Sequence, residues 1–239
     1  MEGMRSNMDN SIKTNLDKVY KNIEKHAKKA NRDPDQIKLV AVAKNHPPKK
    51  IIKALKSDHR IFGENRVQEL LDKNEIFYDQ NIEWHFIGHL QKNKVKYLLK
   101  IDQLTMVESI DSIEIAKELA KEAQSYKKNI NILLQINIAD DPNKFGFKKS
   151  DIEEAINEIS DFNNIEIKGL MTITPYNDDP NQSRHYYKEL KLLFKRLNKK
   201  GYKLKELSMG MSNDYHIAVE EGATIIRVGT AIFGQRHYY

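Results

Sequence analysis

The chain has 239 residues, 39% hydrophobic and 31% charged, enough for one large domain or two small ones around a substantial core. It has no cysteine, which excludes disulfides, thiolate metal sites and cysteine nucleophiles together, and a cytoplasmic protein fits that composition. No apolar stretch approaches the ~20 residues that cross a bilayer, and the first residues lack the apolar core of a secretory signal.

Residues 1–10 match no pattern and are expected to form a flexible extension ahead of a single domain over 11–239. Ile12, Leu16, Val19, Ile23, Ala27 and Ala30 then recur at helical spacing, with Lys13, Lys18, Lys21, Lys25, Lys28 and Lys29 on the opposite face. This helix accounts for an uneven charge. The net +6 divides into 15 Lys/Arg against 7 Asp/Glu in residues 1–60 and 25 against 27 beyond. No aromatic-interleaved basic motif accompanies it, so no nucleic-acid partner is expected.

From residue 37 onward, short apolar runs alternate with helical patterns. Strands are predicted over 37–43, 59–63, 83–88, 103–108, 130–138, 165–173, 205–210 and 224–229. Pro48 opens the helix carrying Ile51, Ile52 and Leu55. Asp111 with Glu114, and Ser150 with Glu153, have the spacing of capping boxes. Gly201 and Gly222 stand where helix-ending glycines belong, after the helices carrying Leu190, Leu193 and Leu197 and then Ile217 and Val219. Strands alternating with helices imply parallel pairing through right-handed crossovers. Eight such units predict an α/β fold, a single eight-stranded barrel of the TIM type with an extra N-terminal helix. An open doubly wound sheet is the competitor, but no Gly-x-Gly-x-x-Gly follows the first strand.

In such a barrel, chemistry gathers where the strands end. The first strand delivers Lys44 to its end, and Asn45-His46-Pro47-Pro48 breaks it there. Two readings stand: a lysine that snorkels to water, or a Schiff-base nucleophile whose amine a dry pocket keeps neutral. After the last two strands, Ser212 and Thr230 supply hydroxyls, while Gly210 and Gly229 let backbone approach an anion, as at the phosphate sites common in these barrels. The plainer alternatives are turn glycines and a Ser212-Asn213 helix cap. Arg227 lies inside an apolar strand and needs a partner, either Glu64 or another carboxylate, or a pyridine nitrogen. His85 and His89 sit on a strand and its turn, so zinc is not expected and no metal site is proposed. His85, beside Trp84, reads as a hydrogen-bonded core histidine. A lysine facing a phosphate cradle is the minimal site for pyridoxal 5'-phosphate.

The chain resembles the pyridoxal phosphate homeostasis protein family. The matching stretches are Leu39-Val40-Ala41-Val42-Ala43-Lys44, Phe62-Gly63-Glu64-Asn65-Arg66-Val67-Gln68-Glu69, Glu83 through Lys94, Gly169-Leu170-Met171, Leu207 through Asp214 and Arg227 through Gly234. The resemblance covers everything after the first helix. It implies a fold type III barrel related to the N-terminal domain of alanine racemase, with pyridoxal phosphate on Lys44 as a Schiff base. It places Met211, Ser212, Gly229 and Thr230 in the cofactor-binding motifs, Arg227 at the pyridine nitrogen, and Asn65 and His85 along the cofactor. Two positions depart from the family pattern. Ala43 stands where serine is frequent, and Asn45-His46-Pro47 replaces Thr-Lys/Arg-Pro.

The function so implied is intracellular vitamin B6 homeostasis: holding pyridoxal phosphate and buffering it or delivering it to apo-enzymes, without catalytic turnover. A racemase of the alanine racemase type is the alternative. Such enzymes add a C-terminal β-domain, a second-face tyrosine and a dimer partner, whereas this sequence ends soon after the last strand, at Tyr238-Tyr239. A lone barrel is expected to be a monomer.

Overall fold

The first apolar run becomes a strand because both of its faces are covered, one by the barrel interior and one by helices, so it reads as continuous apolar sequence with no alternation. The computed structural model describes residues 2–235, with side chains from residue 12 onward. Among the described residues, eight strands close into a barrel in sequence order: β1 (Lys38–Val42), β2 (Ile61–Glu64), β3 (Glu83–Phe86), β4 (Leu104–Ile110), β5 (Ile130–Ile136), β6 (Ile165–Thr172), β7 (Glu206–Ser208) and β8 (Ile225–Val228). All neighbours are parallel, and β1 closes on β8 with Val40 opposite Arg227 and Ala41 opposite Val228. The eight-stranded barrel expected from the sequence is thus the fold.

The surrounding helices are α1 (Glu2–Lys29), α2 (Pro48–Leu55), α3 (Val67–Ile76), α4 (Val95–Leu98), α5 (Ile113–Ser125), α6 (Ile152–Ser160), α7 (Arg184–Lys199), α8 (Tyr215–Glu220) and α9 (Thr230–Phe233). The main core lies between strands and helices, where Leu39, Phe62, Trp84, Phe86, Ile132 and Leu170 meet apolar faces of the helices. Burying each such side chain stabilises the fold by roughly 1.5–3 kcal/mol relative to leaving it in water. A smaller apolar plug of Val40, Met106, Leu133, Met171 and Ile225 fills the barrel itself.

Helix α1 buries Ile12, Leu16, Val19, Ile23 and Ala27, as their spacing predicts, against α2, α8 and α9. Asn15 donates to the Ile232 carbonyl at 3.0 Å and Asn22 to the Tyr215 hydroxyl at 3.0 Å. The helix begins at Glu2, inside the 1–10 segment expected to be a flexible extension. Tyr238 and Tyr239 lie outside the described residues.

Two caps differ from the sequence expectation. Ser112 caps α5 by accepting from the Ile115 amide at 3.3 Å, because Asp111 is taken by His89, whose Nδ1 donates to it at 2.7 Å. Asp151, without a side-chain cap bond, precedes α6, and the Ser150 hydroxyl turns to the Asp151 carboxylate at 2.5 Å.

Candidate functional site

Alternation along a strand decides which side chains look into the barrel. Val40 is inside, so Val42 follows on the same side and Lys44, in the turn just past β1, continues that direction. Ile225 is inside, so Arg227 and then Gly229 follow along β8. Because β1 and β8 are hydrogen-bonded neighbours, the two strand ends deliver these residues to one place. There a cavity of about 470 Å³ is lined by Lys44, Met211, Ser212, Arg227, Gly229 and Thr230. The loop after β6 contributes Ile173 and Tyr176 to its wall, and Tyr176, 78% exposed, stands at the mouth.

The loop after β7 does not use Ser212 as a helix cap. Gly210 turns the chain with φ +94°, and a Cβ there would lie 2.5 Å from the Ala218 Cβ, so the position requires glycine. Asp214 precedes α8 and accepts from the Met211 amide at 2.8 Å. Ser212 turns instead to the loop after β8, where its hydroxyl accepts from the backbone amides of Gly229 at 3.1 Å and Ala231 at 3.3 Å. Two hydroxyls, a guanidinium and an amine thus converge on the cavity, the Ser212 hydroxyl oriented by two backbone amides, and among the described residues no carboxylate lines it. The donor set fits a phosphorylated ligand that also offers a group able to react with an amine.

Arg227, 4% exposed, is held from below. Its guanidinium donates to the Ser208 hydroxyl and, at 2.7 Å, to the Thr172 carbonyl. Ser208 passes a hydrogen bond to Glu108 at 2.6 Å, and His85 Nδ1 donates to the other Glu108 oxygen at 2.5 Å. Burial pushes the Glu108 carboxyl up. The hydrogen bond and charge of His85, the charge of Arg227 and the Ser208 hydroxyl outweigh it and hold the group below its ordinary value. The charge partner of Arg227 is therefore Glu108, not Glu64, which pairs with Lys73.

Of the sequence-predicted residues, Lys44, Met211, Ser212, Arg227, Gly229 and Thr230 are brought together around the cavity. His85 sits beneath it in the buried network, and Asn65 lines a separate cleft with Arg66, Phe86 and His89. The residues missed are Glu108 and the wall residues Ile87, Ile173 and Tyr176. A lone carboxylate in the apolar run of β4 was a readable signal, the same one that singled out Arg227. Wall residues on loops carry none. His89 stacks on Phe145 with ring centroids 3.7 Å apart, and among the described residues no cluster of side chains could hold a metal ion.

Fold and site together define the class. Residues 14–237 match the family described as alanine racemase, N-terminal domain. The pyridoxal phosphate homeostasis protein of Aquifex aeolicus is 38% identical over 226 residues, covering 93% of this chain and 97% of that protein. PipY of Synechococcus elongatus, solved with pyridoxal phosphate bound, superposes with a TM-score of 0.78 at 32% identity, over 89% of this chain and 100% of PipY. A protein from Bifidobacterium adolescentis superposes with a TM-score of 0.87 at 28% identity, over 95% of this chain and 96% of that one. The chain belongs to the pyridoxal phosphate homeostasis protein family, as its motifs indicate.

Proposed function

We propose that this protein holds pyridoxal 5'-phosphate in the cavity at the ends of β1, β7 and β8, with Lys44 as covalent tether, and buffers the cofactor or delivers it to apo-enzymes in the cytoplasm, acting as a monomer. The observation that carries this is the convergence of one amine with a carboxylate-free set of anion donors. The cofactor supplies an aldehyde that a lysine amine can capture and a phosphate that can be anchored separately. Lys44 Nζ is the capturing group. The Ser212 and Thr230 hydroxyls bind the phosphate, the Gly229 and Ala231 amides holding the Ser212 oxygen so that its proton is free to donate. Arg227, fixed by Ser208, Thr172 and Glu108, presents a permanent donor to the pyridine nitrogen. A ring nitrogen facing arginine stays unprotonated, and exposed Tyr176 leaves the mouth open to water; both favour holding over turnover.

Protein incubated with pyridoxal phosphate should absorb as a lysine-bound chromophore, and borohydride should fix the cofactor to Lys44, located by peptide mass. The S212A/T230A double variant should still be labelled at Lys44 but retain cofactor less well through gel filtration. Colourless protein, or labelling at another lysine, would overturn the tether. Retention equal to the parent would overturn the phosphate site.

A further inference from the structure

A buried lysine outside the cavity has chemistry that the site description leaves unused. Lys73, near the end of α3, is 4% exposed and lies in the layer between α3 and the strands, where it reaches the chain just past β1. Its ammonium donates to Glu64, to Glu69 at 2.8 Å and to the Ala43 carbonyl at 2.8 Å, so all three protons are taken. Glu69 in turn accepts from the Asn45 amide at 2.7 Å. Ala43 and Asn45 are the two neighbours of Lys44. Asn45 is left-handed at φ +60°, a conformation that asparagine tolerates better than most residues.

We propose that Lys73 and Glu69, backed by Glu64, form a clamp that positions the Lys44 turn by gripping the peptide on each side of it. The proposal rests on the reading of Lys44 as the tether. The clamp explains a choice that stability alone does not. A buried ion pair is often no more stabilising than apolar residues of the same volume, so its retention calls for a geometric role. Glu64 underlines the point. Burial pushes its carboxyl up to about 7 against the pull of Lys73, and one of its oxygens is buried without a hydrogen-bond partner. A lysine side chain has four rotatable bonds, so the direction of Lys44 Nζ into the cavity depends on where its Cα is held. Here both flanking peptides are held by one ammonium and its carboxylates.

The test separates positioning from amine chemistry. Cofactor-free parent, E69A, E69Q and K73M/E64Q are incubated with pyridoxal phosphate and quenched with borohydride at timed intervals, and the adduct at Lys44 is read by peptide mass. In parallel, Lys44 is methylated with formaldehyde and cyanoborohydride, a small reagent that needs no particular orientation, with exposed Lys121 as internal reference. E69A and K73M/E64Q should take up cofactor at Lys44 about tenfold more slowly while methylation stays within about twofold of the parent, since misplacing a reacting group by ~1 Å is costly in rate. E69Q, which keeps an oxygen acceptor for the Asn45 amide, should recover most of that loss. Folded E69A with unchanged cofactor uptake overturns the clamp. So does methylation that falls in parallel with uptake, or E69Q as slow as E69A. If K73M/E64Q does not fold, E69A decides, because the Glu69 side chain is partly exposed. A parent that takes no cofactor at Lys44 overturns the tether reading, and the clamp with it.

Discussion

At the scale of single residues, the barrel interior is organised by one charge that cannot be neutralised. An arginine inside a packed core keeps its proton, so everything near Arg227 is arranged to compensate it. Ser208, Glu108 and the Thr172 carbonyl meet its donors, and His85 completes the carboxylate's hydrogen bonds. Removing the carboxylate should therefore be worse than removing the pair. E108L should lower the unfolding free energy by about 3–5 kcal/mol in urea titrations, whereas E108L/R227M should recover a large part of it. Equal stability for the two variants would mean that the network does not act as a unit. Arg227 was legible in the sequence as a charge in an apolar strand. Glu108 bears the same mark in Leu104-Thr105-Met106-Val107-Glu108, but which of several carboxylates would meet Arg227 depended on barrel register, which one-dimensional spacing does not encode.

At the scale of elements, α1 is fastened to the barrel through a buried histidine in the turn between α2 and β2. His59 Nε2 donates to the Ile61 carbonyl at 2.7 Å, so Nδ1 accepts from the Tyr20 hydroxyl at 2.9 Å. Burial pushes the imidazole down to about 4. The Ile61 carbonyl pulls the other way and Arg60 adds to the fall. Between its ordinary 6.5 and about 4, the unfolded chain takes up a proton that the folded chain refuses. Stability contributed by neutral His59 is therefore complete above 6.5 and is lost as pH falls toward 4. Between pH 7 and pH 5 the parent should lose about 2 kcal/mol more than H59Q in urea unfolding. A parallel loss in both proteins would place the pH sensitivity elsewhere. Long periodic elements such as α1 were plain in the sequence because burial repeats along them. Helix starts were less so: Asp111 has the composition of a cap but is claimed by His89 across a loop, and Ser112 takes the role.

At the scale of the molecule, closure of β1 on β8 leaves the barrel without a free edge, so it is expected to unfold as one unit, and the sequence supplies a convenient probe. Trp84 is the chain's one tryptophan, fully buried on β3 with its ring centroid 5.9 Å from that of Phe62. Its fluorescence and far-ultraviolet circular dichroism should report one coincident urea transition. Separate transitions would indicate that part of the barrel melts alone. Closure also fixes when the site can exist. Lys44 emerges from the ribosome well before Thr230, and only the docking of β8 beside β1 joins them. A partly synthesised or partly melted chain therefore presents neither half of the cavity in working form. A molecule that needs both halves binds the native barrel alone, so by mass action its presence draws late folding intermediates forward and raises the melting temperature as its concentration rises.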